Sequence, residues 1–388
     1  MLKATTGSSV RKDALSAGRE GARKARAGLS NPKLAFAYAS CVYDLDAMLA
    51  GIRAELPGVP VIGNTSFTGV ILPEGFIGGD DGFLGMLALE DPDLTVGVAS
   101  LPKQGSALET GRAVAEKAMR KAGKTVAPAY FYLVAPPGEE ELYLKGITRV
   151  IGRVPCFGGS AADNSISGAW KLYTDEGSCA DGVAVAFFYS NKPMSNHYTG
   201  AYRETADRGI ITKVQDRRTL VEIDGQPALK KYASWRGLDP DTLKGLDLLV
   251  ATITSPLGVK DRLGDLVAIR HPMSGNDDYS MGIGSNLAEG TAVIRMESSV
   301  DELIASAGAE LETLKKKAPF TPGVFHLIHC GGRRAGIGDR IEEAVQNIRN
   351  AAGKVPFICE FTFGEYGFED DDRNTCGGLM LSFTALAE

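Results

Sequence analysis

The chain has 388 residues, a net charge of −6 and an ordinary apolar content, 44% hydrophobic against 23% charged. That length holds two domain-sized cores, and the composition is that of a folded globular protein rather than a disordered chain. The mild acidic balance excludes nucleic acid as the main partner, because phosphate binding needs a concentrated basic face.

The first residues lack the apolar stretch of a secretory signal, and the longest apolar run, 183–189, is too short to span a bilayer. The expected location is therefore the cytoplasm, with no membrane span. The six cysteines, Cys41, Cys156, Cys179, Cys330, Cys359 and Cys376, show no CxxC pairing and are expected as reduced thiols. Near the start, Arg11, Lys12, Arg19, Arg23, Lys24 and Arg26 interleave with Ala14, Leu15, Ala17, Ala22 and Ala25. That spacing predicts an Ala-rich helix with a solvated basic face.

An internal repeat then dominates. Three times an apolar strand leads to a helical stretch and a Val-Pro step into a second apolar strand. The first copy has strand 34–41, a helix through Met48, Leu49, Ile52 and Leu56, and Val59-Pro60 before Ile62-Gly63-Asn64. The second has strand 129–134, a helix over 142–150 and Val154-Pro155; the third has strand 324–330, a helix over 339–351 and Val355-Pro356. Each copy continues into a glycine-led apolar strand, at 82–89, 182–189 and 377–383. Near-continuous apolar strands joined by a helix mark parallel, covered βαβ units. A polar segment at 191–197 suggests the border between domains 1–198 and 199–388. Beyond it the pattern predicts strands at 246–253 and 290–296, and a helix over 300–316 capped by Ser299. The expected fold is α/β, with two domains built from repeated strand–helix–strand units whose mixed sheets are largely covered.

In such sheets a ligand crevice lies beyond the carboxyl ends of the strands. That rule selects Cys330 and Arg333 after first-type strands. After second-type strands it selects Asn64, Thr65, Ser160, Asn164, Thr362 and Glu365. Arg333 can grip a carboxylate through two parallel hydrogen bonds, and Glu365 can hold an ammonium, so the pair suits an amino-acid-like ligand. The competing reading is an internal ion pair fastening two loops. The four histidines show no metal-ligand spacing. His271, His326 and His329 are the candidates to ligate a haem iron. No catalytic set assembles: Gly158-Gly-Ser160 lacks the closing glycine of a nucleophile elbow, and His329 beside Cys330 points to the other face of a strand. An enzyme using Ser160 or Cys330 with a histidine base is the alternative from another class.

The stretch Cys330-Gly-Gly-Arg333, with Val355-Pro356, Phe363-Gly364-Glu365-Tyr366-Gly367 and Asn374-Thr375, resembles the C-terminal signature of FIST proteins, for F-box and intracellular signal transduction. Gly7-Ser8-Ser9, Ala17-Gly18 and Ile62-Gly63-Asn64-Thr65 resemble the N-terminal domain of that family. Phe368 stands where the family usually has proline, and His329 where it has a smaller residue. The resemblance implies a bacterial sensor of small molecules such as amino acids, with Asn374 joining the ligand site. It also implies an output through a separate histidine kinase or cyclic-nucleotide signalling protein, since this chain shows no such segment. Some stand-alone members resemble haem-based nitric-oxide sensors, which is what raises haem as a cofactor. A second copy of the chain is the remaining partner to consider.

Overall fold

The computed structural model describes residues 1–260, 267–369 and 373–388. The first unit runs β1 (Lys3–Ser9), α1 (Ala14–Ala25), β2 (Leu34–Ala39), α2 (Leu45–Glu55), β3 (Val61–Thr65), a hairpin of β4 (Gly69–Leu72) and β5 (Gly75–Gly78), and β6 (Leu84–Glu90). The second repeats that order with β7 (Thr95–Pro102), α3 (Ala107–Lys121), β8 (Tyr130–Ala135), α4 (Glu140–Ile151), β9 (Cys156–Ser160), the hairpin β10 (Leu172–Thr174) and β11 (Gly177–Cys179), and β12 (Gly182–Tyr189). A third begins at β13 (Met194–Thr199) and is interrupted. Into it is inserted a sheet of β14 (Arg203–Gln215), β15 (Thr219–Ile223), β16 (Gln226–Pro227), β17 (Leu257–Lys260), β18 (Val267–Arg270), β19 (Pro272–Gly275), β20 (Met281–Ile283) and β21 (Ala292–Glu297), with α5 (Ala228–Trp235) packed on it. The third unit then resumes with α6 (Val300–Lys317), β22 (Pro322–Cys330), α7 (Gly331–Ile337), α8 (Ile341–Ala352), β23 (Phe357–Thr362), the hairpin β24 (Glu365–Glu369) and β25 (Arg373–Gly377), and β26 (Leu381–Ala387).

The three Val-Pro steps start equivalent strands. Each lies just before the second strand of a parallel pair, β2–β3, β8–β9 or β22–β23, with registers Ala35↔Val61, Phe131↔Cys156 and Phe325↔Phe357. In each unit the last strand slots antiparallel between the first two, giving β1-β6-β2-β3, β7-β12-β8-β9 and β13-β26-β22-β23. Each hairpin then leaves its own unit. β4–β5 extends the third sheet beside β23, β10–β11 extends the first beside β3, and β24–β25 extends the second beside β9. The body is thus a ring of three α/β units, each completed by a neighbour's hairpin.

Registers predict which side chains meet at the centre of that ring. Phe36, Tyr132 and His326 occupy the same position in β2, β8 and β22, and their ring centroids stand 5.1, 4.7 and 5.4 Å apart. Around them a buried network forms: Asn64 Nδ2 donates to Glu360 Oε2 (2.8 Å), Tyr132 Oη to Glu360 Oε1 (3.0 Å), and Tyr38 Oη meets His326 Nε2 (2.5 Å). The same threefold logic recurs between helices. Gly18, Gly111 and Gly308 on α1, α3 and α6 let a backbone carbonyl of α2, α4 and α8 approach, where a Cβ would sit 2.1, 2.4 and 2.8 Å from the oxygens of Met48, Tyr143 and Asn347. Any larger residue would push the helix pair apart.

The expected helices over α1, α2, α4, α6 and α8 are present. Ser299 caps α6 in a full capping box with Glu302. The strand expected at 246–253 is absent: Asp247 bridges Ser274, and the rest is turn. There Asp247 Oδ1 accepts the Leu249 N–H (2.8 Å) and Thr252 Oγ1 donates to the Leu248 carbonyl (2.9 Å), local bonds that compete with a ladder. Among the described residues no helix is long and apolar enough to cross a membrane, and all six cysteines are free.

Candidate ligand-binding site

The carboxyl ends of the parallel strands in all three units converge on one cavity of about 320 Å³. Phe67 follows β3, Pro137 and Glu140 follow β8, Trp170 follows β9, Cys330 ends β22 and Phe363 follows β23. The insertion closes the other side with Arg218, Leu249, Val250, Ile253, His271, Met273 and Ile283. Most of this wall is apolar; the polar groups are Glu140, Arg218, His271 and Cys330. A largely apolar concavity with a few convergent polar groups is the usual form of a small-molecule site.

Glu140 and Arg218 join the body to the insertion. Glu140 sits in the first turn of α4, where the helix dipole favours a carboxylate. Its Oε2 accepts the Gly138 N–H and Arg218 Nη2, both at 2.8 Å, and its Oε1 accepts Ser160 Oγ at 3.2 Å. Arg218 Nη2 also reaches Glu141 Oε2 (3.0 Å), and Nη1 donates to the Gly284 carbonyl (2.8 Å). One guanidinium thus serves two carboxylates. Burial pushes the Glu140 carboxyl up, with Arg218 opposing and Glu141 adding to the rise.

Of the residues expected at the site, Cys330 and His271 line this cavity, while Arg333, Glu365, Asn64, Thr65, Ser160, Asn164, Thr362, Asn374, His326 and His329 do not. Arg333 is fully buried and donates to the Gly200 carbonyl (2.6 Å) and to Ser306 Oγ. Glu365 accepts Thr362 Oγ1 (3.0 Å) and the Met380 N–H (2.9 Å), and burial pushes it up to about 8. Among the described residues, no ion pair joins Arg333 to Glu365. Asn64 belongs to the central network. Thr65 Oγ1 accepts the Lys171 N–H (2.9 Å), and Asn164 Oδ1 accepts that of Thr68 (3.1 Å). Asn374 fastens the exchanged hairpin to the second Val-Pro step through the Cys156 N–H (3.0 Å) and the Val154 carbonyl (2.7 Å). These strand-end groups hold units together.

The nucleophile candidates lack their expected base. Ser160 Oγ meets Tyr366 Oη (2.7 Å) and Glu140. Cys330 Sγ accepts the N–H groups of Gly332 (3.3 Å) and Leu379 (3.2 Å), and burial pushes its thiol well above the usual range. Among the described residues no imidazole hydrogen-bonds either atom. A haem does not fit these histidines. His326 is locked in the core by Tyr38, and His329 is sealed against Phe361 with its Nδ1 on the Cys330 carbonyl (3.0 Å). His271 alone reaches the cavity, and its Nε2–H is held by the Leu249 carbonyl (2.8 Å). Among the described residues there is no cluster of His, Cys, Asp or Glu able to hold a metal ion.

Sequence reasoning missed Glu140 and Arg218. The strand-end rule, applied to the second repeat as to the first and third, leads to 136–140. Arg218 has no such signal, because it lies in the insertion, after the left-handed turn residues Asp216 (φ 49°) and Arg217 (φ 61°).

Residues 33–226 match the FIST N domain and 228–367 the FIST C domain, so the chain belongs to the FIST family. The two matches meet inside the insertion. No curated protein matches the chain. Among solved structures it is similar to a cyanuric acid hydrolase from A. caulinodans, at 9% identity over 100% of both chains with a TM-score of 0.36. It is also similar to PurLQS from Thermotoga maritima, at 10% identity over 100% of this chain and 73% of that one, with a TM-score of 0.24. Likenesses this low carry no argument about activity. FIST domains are associated with signal transduction and the sensing of small ligands.

Proposed function

We propose that this protein is a sensor that takes a small amino-acid-like ligand into the cavity between the three-unit body and the insertion, and passes the change to a separate signalling protein such as a histidine kinase. The observation that carries the reading is an apolar cavity with an arginine–glutamate pair on its wall. The zwitterion chemistry expected of Arg333 and Glu365 is available at Arg218 and Glu140. A ligand carboxylate takes Arg218, its ammonium takes Glu140, and an apolar side chain lies against Phe67, Trp170 and Phe363. Exchange of partners keeps every buried charge paired, which is what makes entry affordable in a site of low dielectric. Because Glu140 is on the body and Arg218 on the insertion, occupancy changes how the two halves are tied.

The test is a thermal-shift screen of the common amino acids and small carboxylates. Binding to the folded state alone raises stability by RT ln(1 + [L]/Kd), about 2.7 kcal/mol at a hundredfold excess over Kd. An apolar amino acid should raise Tm by several degrees, and Arg218→Ala should abolish the rise. A screen with no hit, or a hit indifferent to Arg218→Ala, would overturn the reading.

A further inference from the structure

Outside the cavity, on the far side of the Arg218 bridge, two hollows of about 670 and 490 Å³ share Arg270, Asn286 and Thr375 on their walls and form one open trough. One half sets Ile210, Val259 and Leu287 beside Lys260 and Glu289; the other carries Lys145, Arg149, Arg153 and Arg270 against Glu141, so basic groups outnumber acids along the trough. The Arg270 guanidinium is held by carbonyls alone, those of Asn286 (3.1 Å) and Ile269 (3.1 Å), with no carboxylate partner among the described residues. Two sheet edges run along the trough. Among the described residues β18 pairs only with β17 and β25 only with β24; on β18 the Ile269 N–H and carbonyl are taken by Met380 Sδ (3.4 Å) and Arg270, so the open edge is that of β25.

We infer that this trough is the surface through which the sensor reaches its output partner, and that the occupant is an extended acidic segment of that partner. The inference rests on the sensor reading for its purpose, though not for its chemistry. Charge complementarity selects an acidic chain, and the open edge of β25 selects an extended one, which can add backbone hydrogen bonds as it binds. The two adjoining hollows, with Ile210, Val259 and Leu287 in one of them, favour a segment of several residues over a compact anion. Asn286 links the trough to the ligand. Its side-chain oxygen accepts Arg218 Nε (3.4 Å), its N–H donates to Glu141 Oε1 (3.2 Å), and its carbonyl holds Arg270. Movement of Arg218 toward a ligand therefore pulls on the residue that positions the half-buried Arg270 of the trough.

A fluorescein-labelled peptide of alternating Glu and Val, titrated against the full chain by fluorescence anisotropy, tests this, with a Lys–Val peptide as control. The acidic peptide should bind and weaken with added salt, and the basic one should not bind. Arg149→Glu with Arg153→Glu should weaken the acidic peptide at least about tenfold without lowering Tm, since both side chains are exposed. Equal binding of the two peptides, an unchanged affinity in the double variant, or complete displacement by inorganic pyrophosphate would overturn the proposal, the last by making the trough a small-anion site. The titration needs no cavity ligand and the thermal-shift screen needs no peptide, so the two readings fail separately.

Discussion

Two buried glutamates, Glu360 within β23 and Glu140 at the start of α4, meet opposite fates. Glu360 lies on the axis of the three-unit ring, where Asn64 and Tyr132 from the other two units bind both its oxygens. Glu140 lies at the rim, where one of its partners is the insertion's Arg218. The first is enclosed wholly by the body; the second is shared with the inserted sheet. A buried polar group enclosed by one rigid body fixes the fold, whereas one shared between two bodies can trade partners.

Large-to-small substitution separates these regions most strongly. Phe36→Ala, which empties the central aromatic triangle, should cost about 3–5 kcal/mol of stability, read as a fall in the denaturation midpoint. Arg218→Ala should cost much less by the same measurement, because Glu140, whose carboxyl burial already pushes up, can take up a proton when its cation leaves. If Arg218→Ala proves as damaging as Phe36→Ala, the bridge belongs to the structural core and the comparison fails.

Titration of the core gives the next largest effect. Burial raises Glu360 to about 7 and Glu365 to about 8, and lowers His271 to about 4 and His326 and His329 to about 3. Between pH 4.5 and 6.5 the unfolded chain takes up protons on three histidines while the folded chain keeps them on two glutamic acids, so these five groups make stability rise with pH. Above 6.5 the histidines are neutral in both states, and the glutamic acids, still protonated only when folded, make stability fall until about pH 8. Each uncompensated proton is worth about 1.4 kcal/mol per pH unit. Denaturant melts should therefore show a maximum near pH 6.5. Glu360→Gln should flatten the fall between pH 6.5 and 7. A wild-type profile that climbs steadily to pH 8 would show that Glu360 and Glu365 are ionised in the folded protein.

A smaller effect concerns Val250, which lines the cavity yet is 76% exposed. Val250→Ser should change stability by less than about 0.5 kcal/mol and weaken an apolar ligand by a few-fold. No change in ligand affinity would place the bound ligand away from the mouth.

Much of the fold was legible in the chain, because period and punctuation are local. Val59-Pro60, Val154-Pro155 and Val355-Pro356 announce three parallel strands, and Ser299 announces α6. The exchanged hairpins were not legible, since β4 pairs with β23 (Val70↔Glu360) and neither segment carries a sign of its partner. The stretch 246–253 misled through composition: its apolar run reads as a strand, but Asp247 and Thr252 turn the backbone on itself. Strand-end polarity pointed to the end of the sheets where the candidate cavity lies. It could not tell residues that bind neighbouring units, such as Asn64 and Asn374, from those that face a cavity. That distinction depends on the insertion, whose place over the strand ends no local pattern encodes.

The most direct test is calorimetric titration of the strongest amino-acid hit into the wild-type chain, Arg218→Ala and Arg333→Lys, each checked for its melting temperature. The account predicts that Arg218→Ala loses at least about 2 kcal/mol of affinity, as expected for a charge-assisted contact, while Arg333→Lys binds like wild type wherever it stays folded. Full affinity in Arg218→Ala, with binding lost in a folded Arg333→Lys, would contradict it and return the site to Arg333 and Glu365.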